Sequence, residues 1–347
     1  MAIQDLSITN FTAFEQAKFN FCDGINVLIG TNGAGKTHAM KAMYAVLNKL
    51  NIYNIFNINK AYPLIRNNSE YKDILAGNGA SRMEKNILCR HINFLNMEKS
   101  IHEVEAARIE ISISNYEEVN PIYLPTIEML SIYDNFFATY EKREIPYDRI
   151  CYDLALALNA AVLRRTHADY KSIEPIINNL QEIITGSKNI EKDIVIKESE
   201  HFYFNLNGNK LDVNLVADGY RKLGTLFYLL RNGSLTKNSI LFWDEPEANL
   251  NPKLIVKVAK VLQALAAAGM QIFIATHDYL LSHELSLLAE YPSQNPIALK
   301  FFSLYKPNEQ SSVIVEEGQT LADITNNPIL DEFAAHYDRE VELFNKG

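Results

Sequence analysis

Three short stretches carry residue types at the spacing that phosphate chemistry needs. Residues Gly30 to Thr37 read GTNGAGKT and fit the pattern GxxxxGK[ST] at Gly30, Gly35, Lys36 and Thr37. Glycines let the backbone wrap a phosphate closely with its N–H groups turned inward, and a following helix offers its positive end. Lys36 supplies a point charge to the β- and γ-phosphates, and Thr37 offers a hydroxyl to Mg²⁺. Gly30, Asn32, Gly33, Ala34, Gly35, Lys36 and Thr37 are therefore candidate nucleotide ligands, with Lys36 also a candidate for catalysis. A glycine-rich surface turn would share the letters but not the flanking strand and helix.

A second stretch, Ile240 to Trp243, is apolar and ends in Asp244-Glu245. A carboxylate at the C-terminal end of a buried strand can hold Mg²⁺ together with Thr37, and the next glutamate can take a proton from attacking water. Asp244 is thus a candidate metal ligand and Glu245 a candidate general base. The third stretch, Ile272 to Ala275, leads through Thr276 to His277, 33 residues after Asp244. On the next strand, His277 reads as a γ-phosphate sensor; otherwise it is a structural strand-end histidine.

These stretches need a frame. Ile3–Ile8, Ala17–Phe21 and Ile25–Ile29 read as strands, and 38–50 carries helical spacing through Met40, Met43, Val46, Leu47 and Leu50. Residues 51–80 are Asn-rich and without periodicity. A strand or hairpin is expected over 101–114, a short strand between Pro121 and Pro125, and helices over 130–142, 147–164 and 173–184. Phe202-x-Phe204-x-Leu206 and Leu211-x-Val213-x-Leu215 flank Asn207-Gly208, a hairpin signal. A helix over 219–231 precedes strand 240–243, helix 252–268 with Asn251 as N-cap, strand 271–275 and helix 279–290. The tail adds strands near 297–304 and 312–316 and a helix over 329–345. Short apolar strands alternating with amphipathic helices imply an α/β fold with a covered parallel sheet. The expected division is a discontinuous head, 1–50 plus 200–347, with 51–199 inserted between its motifs.

Composition sets the outer limits. Hydrophobic residues make up 48% and charged residues 22%, which excludes wholesale disorder. The net charge is −9, so a nucleic-acid contact is not indicated by charge and would have to be local. The densest basic cluster, Arg164-Arg165 with Lys171, reads as a solvated helix end or such a contact. No apolar run approaches membrane-spanning length, and the first residues lack a secretory pattern. Cys22, Cys89 and Cys151 form neither a disulfide framework nor a zinc spacing, so a cytoplasmic chain with reduced thiols is expected.

Taken together, Asn32-Gly33, Asp244-Glu245-Pro246 and Thr276-His277-Asp278 resemble the ABC-type ATPases, within them the group of SMC, RecF and OLD-like proteins. Ile8-Thr9-Asn10-Phe11 resembles their opening strand, and Glu247, Leu250 and Pro252 resemble the OLD-like branch. Pro125 to Ser131 and Ala217 to Lys222 look like stand-alone ATPases of bacterial anti-phage systems. The resemblance covers about 1–50 and 200–347 and implies a P-loop ABC-type head, a mixed sheet flanked by helices, with a mostly helical inserted subdomain. It implies ATP and Mg²⁺ as cofactors and a homodimer or higher homo-oligomer in which two chains sandwich two nucleotides head to tail.

The signature segment that would face the other chain's nucleotide is Val216-Ala217-Asp218-Gly219-Tyr220, with Gly219 binding in trans; as an alternative, it is an Asp-Gly turn capping a core helix. Ala217 stands where the family has a serine, and Asn249–Asn251 would cross the dimer. No Q-loop glutamine stands out, Gln181 included. Glu128 is either a solvated strand-end carboxylate or part of the site. Only 70 residues follow His277, so the nuclease domain of OLD-like enzymes is not expected, and a separately encoded effector protein is. A nucleotide-sensing scaffold or antitoxin with little turnover, and a transporter's nucleotide-binding subunit, are the rival readings.

Overall fold

The computed structural model describes residues 2–50, 55, 82–84, 87–93, 108–114, 120–142, 147–187, 193–206, 208–292, 296–308 and 311–346. Most of the Asn-rich stretch 51–80, residues 101–107 and Asn207 lie outside them.

Strands β1 (Ala2–Phe11), β2 (Phe14–Asn20), β4 (Arg82–Glu84), β5 (Ile87–Asn93) and β6 (Arg108–Ser114) form an antiparallel sheet in the order β2-β1-β6-β5-β4. Ile109, Ile111 and Ile113 of β6 are buried in strict alternation, the signature of a sheet with one covered face. A second sheet holds β3 (Ile25–Gly30), β7 (Asn120–Leu124), β11 (Ser239–Asp244), β12 (Gln271–Thr276), β13 (Leu299–Tyr305) and β14 (Ile314–Gly318). Its order is β14-β13-β3-β12-β11-β7, parallel throughout except for β14. Every residue of β3, β11 and β12 is buried, as expected where both faces are covered.

The register puts the motifs side by side. Ile29 of β3 pairs with Thr276 of β12, and Ala275 pairs with Asp244 of β11. Three strand ends therefore open on one rim, where ligands of parallel sheets bind. Helix α1 (Lys36–Asn48) leaves from that rim and packs with β1, β2 and β6 on one face, through Met40, Met43, Leu28, Phe242 and Phe273. On the other face, Val27, Leu241, Trp243 and Ile274 meet a helical layer. That layer contains α2 (Phe136–Glu141), α3 (Arg149–Asn159), α4 (Ala168–Thr185), α5 (Asp218–Arg231), α6 (Pro252–Ala267) and α7 (Tyr279–Glu290). Strands β8 (Val195–Glu198), β9 (His201–Leu206) and β10 (Asn209–Asp212) make a small antiparallel sheet, and α8 (Pro328–Lys346) ends the described chain. No described helix is long and apolar enough to cross a membrane.

The fold is thus the expected α/β head with a mixed sheet flanked by helices. Described residues between 51 and 199 take part in the same sheets and core: β7 is the edge strand beside β11, β6 pairs with β1, and α3 and α4 share the core of α5 and α6. Element ends moved for local reasons. The helix expected over 130–142 shrinks to α2 because Glu128 accepts from the backbone N–H groups of Leu130 and Ser131 and holds a turn there. The helix expected over 147–164 becomes α3, started by Asp148, whose side chain caps the Cys151 N–H. The strand expected to reach Leu215 stops at Asp212, whose carboxylate accepts from the Asn214 N–H and bends the chain.

Candidate functional site

The loop after β3 is built by three glycines at positive φ: Gly30 at 150°, Gly33 at 77° and Gly35 at 94°. Gly35 precedes α1 and brings no side-chain cap, so the first N–H groups of that helix stay available to an anion. A Cβ on Gly35 would lie 2.7 Å from the Phe14 ring, which packs beneath the loop. Thr31, Asn32 and Gly33 are exposed at its tip, whereas Ala34, Gly35 and Lys36 are buried. The Lys36 ammonium donates to the carbonyls of Gly30 at 2.7 Å and Thr31 at 3.0 Å. Burial lowers its pKa, opposed by the charges of Asp244, Glu245 and Glu247.

Across the rim, the Thr37 hydroxyl donates to Asp244 Oδ1 at 3.1 Å. Asp244 is buried, and burial raises its pKa; the Thr37 hydrogen bond works against that rise. The buried Tyr123 hydroxyl donates to Asp244 Oδ2 at 3.4 Å, and burial followed by the Asp244 charge keeps that phenol protonated. Hydroxyl and carboxylate oxygens facing each other at an open rim suit a hard cation that keeps waters and phosphate oxygens as its other ligands. Among the described residues there is no cluster of three or more His, Cys, Asp or Glu for an all-protein metal cage. The donor set therefore fits Mg²⁺ and the loop fits a nucleotide phosphate. A cavity of about 660 Å³ opens beside Thr37, Asp244 and Glu245, with Tyr123, Thr126 and Lys41 on its wall.

Glu245 sits at φ 48°, a left-handed conformation uncommon outside glycine, and its N–H donates to the Ala275 carbonyl at 2.9 Å. That turn swings its carboxylate toward His277, whose Nδ1 lies 3.4 Å from Glu245 Oε1. His277 is half exposed beyond the end of β12. Lys36, Thr37, Asp244, Glu245 and His277 thus line one rim.

The segment around Gly219 forms the N-terminus of α5, with Ala217 as an N-cap that offers no side-chain bond. Gly219 is packed so closely that a Cβ would lie 2.6 Å from Leu250 Cδ2 and 3.1 Å from the Asn249 carbonyl. It therefore abuts Asn249 and Leu250 of its own chain. Arg221 pairs with Glu128 at 3.2 Å and with Asp218, so Glu128 is a tied residue rather than a solvated one. Gln181 is buried within α4, and Arg165 pairs with Asp193 at 3.5 Å.

Three further side chains join the site, and of these sequence reading gave only Tyr123 no part in the chemistry. Tyr123 was seen only as part of a short strand, and nothing local announces its contact with Asp244. Lys222, 5% exposed, donates from Nζ to the Glu245 carbonyl at 3.0 Å. Glu247 is also buried; Oε1 accepts from the Thr276 hydroxyl at 2.6 Å and from the His277 N–H at 3.4 Å. Sequence reading had it only as part of the OLD-like resemblance, with Leu250 and Pro252.

Comparison with known proteins gives three results. The family model described as "AAA domain, putative AbiEii toxin, Type IV TA system" matches residues 104–282, and that described as "AAA ATPase domain" matches 1–153. The DNA replication and repair protein RecF of Renibacterium salmoninarum is 31% identical over 115 residues, 33% of this chain and 25% of that protein. RecF of Geobacillus kaustophilus is 39% identical over 46 residues, 13% of this chain and 12% of that protein. The alignments thus span a quarter or less of these curated relatives. Among solved structures, the SMC head domain from Thermotoga maritima has 13% identity and a TM-score of 0.43, covering 92% of this chain and 100% of that one. An Smc head bound to the C-winged helix domain of ScpA has 14% identity and a TM-score of 0.48, covering 93% and 100%.

Proposed function

The chain belongs to the AAA-domain ATPase family whose model covers residues 104–282, and from that premise we propose a Mg²⁺-dependent ATPase that closes head to tail with a second copy around two ATP molecules. In this reading its ATP state governs a separately encoded effector in defence against phage. The observation that carries the ATPase site is the 3.1 Å contact between Thr37, in the first turn of α1, and Asp244, at the end of β11, with Glu245 next in the chain. Mg²⁺, when bound, neutralises charge on the phosphate oxygens. Thr37 and Asp244 orient it, and Lys36 exchanges its two carbonyl partners for phosphate oxygens. Glu245 accepts the proton of the attacking water, and His277, 3.4 Å from it, fixes that carboxylate and reads the γ-phosphate. Gly219 at the N-terminus of α5 offers its anion site to the nucleotide of the other copy.

Glu245→Gln removes the base and keeps the shape. Turnover should fall by about 100-fold or more, ATP binding should persist, and a nucleotide-bound dimer should accumulate on gel filtration. Normal turnover in that variant would overturn the assignment. One observation favours a slower, regulatory ATPase as a second reading: Ala217 brings no hydroxyl to the signature segment. Steady-state assays with and without DNA separate the two.

A further inference from the structure

Helix α8 is held by its first two turns. Ile329 is buried, and the Phe333 ring lies on Tyr279 with centroids 4.4 Å apart. From Leu330 to Lys346 every residue except Ala335 is exposed. At 1.5 Å per residue, this 19-residue helix projects about 28 Å. Such a helix is marginal in water on its own. Its ion pairs, Arg339–Glu332 and Lys346–Glu342, are exposed and add little. Its outer side is nevertheless not polar. Leu330, Phe333, Tyr337, Val341 and Phe344 form one stripe, with Tyr337 65% and Phe344 85% exposed.

The spacing of the stripe identifies what covers it. Counted from Tyr337, Phe333 and Val341 lie four residues away in opposite directions, and Leu330 and Phe344 lie seven away. The steps are three, four, four and three, so the stripe reads the same in both directions. A continuous heptad, as a parallel coiled coil requires, would place an apolar residue at 340, and Glu340 stands there. Reversal about Tyr337 keeps apolar against apolar: Phe333 meets Val341 and Leu330 meets Phe344. Glu340, the acidic residue nearest the stripe, comes opposite Ala334 and faces no like charge. Antiparallel packing also opposes the two helix dipoles. The attached first turn of one helix then lies beside the free last turn of the other, which keeps the two bodies at opposite ends.

We propose that α8 pairs antiparallel with α8 of a second copy about a two-fold axis at Tyr337, without nucleotide. A single helix pair of this length sits at the low end of specific interfaces, below about 1,200 Å² in total, so the dimer forms in a concentration-dependent way. This contact is separate from the nucleotide sandwich. Two different two-fold contacts on one chain build tetramers or longer arrays.

Sedimentation velocity of the full chain without nucleotide, at up to about 100 µM, tests this. The wild type should dimerise in a concentration-dependent way. Tyr337→Glu and Tyr337→Lys should each be monomeric, because each places like charges across the axis. An equimolar mixture of the two should restore the dimer. Both variants should keep helical circular dichroism and the basal ATPase rate. A monomeric wild type would overturn the proposal, as would single variants that still dimerise. A mixture that stays monomeric would also overturn it, and would reserve α8 for another protein's helix.

Discussion

Lys222 shows how a residue with no motif of its own enters the chemistry. A lysine at a helix N-terminus normally points to water, yet this one is buried beneath Asp244 and Glu245 and bonds the Glu245 carbonyl at 3.0 Å. Burial lowers its pKa, and the charges of Glu247, Glu245, Asp244 and Glu128 hold the proton on. It stiffens the left-handed turn that aims Glu245. Lys222→Met removes a charge-assisted hydrogen bond worth about 1.5–3 kcal/mol, so kcat should drop about 10- to 100-fold. ATP binding should change by less than about 3-fold, since Lys222 is not in the phosphate loop; equal losses in binding and turnover would contradict this role. Two cysteines, Cys151 buried and Cys22 partly buried, carry a pH consequence. Burial pushes the Cys151 thiol up to about 12 and the Cys22 thiol up to about 11. An unfolded thiol ionises near its ordinary value of 9.0. Above that pH the unfolded chain loses protons that the folded chain keeps, so stability is full below pH 9 and declines as pH rises toward 11. Urea midpoints across pH 8–11 should show that decline, and Cys151→Ala should flatten it. Iodoacetamide at pH 8 should label Cys151 far more slowly in the native chain than in urea.

At the scale of elements, what the sequence disclosed was local. Strand, glycine loop and helix form one unbroken stretch from Ile25 to Asn48, and each glycine answers a backbone need within it. Gly35→Ala should therefore be severe. The new methyl meets the Phe14 ring at 2.7 Å and the backbone is left at φ 94°. Strain of about 1–3 kcal/mol and overpacking of similar size should lower the thermal midpoint by several degrees and abolish nucleotide retention. An unchanged midpoint by calorimetry would show that Phe14 yields freely. The strands ending at Asp244 and Thr276 were equally legible, because an apolar run ending in a polar residue marks a buried parallel strand. Helix ends were not. Glu128, Asp148 and Asp212 each turn a side chain onto nearby backbone N–H groups, and that choice depends on tertiary surroundings. The place of β7 beside β11, which brings Tyr123 to Asp244, is a long-range pairing with no signature in five residues.

Over the whole molecule, described parts of the middle segment share the sheets and core that hold the motifs. Residues 1–50 and 200–347 hold the recognisable spacing, yet the edge strand β7 of the main sheet and three strands of the β1 sheet, β6, β5 and β4, come from the segment between them. One hydrophobic cluster joins Leu124, Leu154 and Ile177 to Leu226, Trp243 and Leu262 without a break. Such continuity predicts one cooperative unit rather than a head with a detachable lid. Trp243 makes this measurable. It is the single tryptophan, 1% exposed, and it faces the helical layer, beside Lys222, Leu154 and Met129, while Asp244 after it faces the rim. Its fluorescence therefore reports the junction between sheet, α5 and the middle segment, whereas far-ultraviolet circular dichroism reports all the helices. The two signals should trace the same urea transition, with one midpoint and one slope. An earlier loss of ellipticity at constant tryptophan emission would show the middle segment unfolding by itself, and would restore the insertion as a separate domain. For the same reason ATP should change Trp243 emission only when α5 shifts against the sheet, so Glu245→Gln with ATP should show the larger change and Gly35→Ala none.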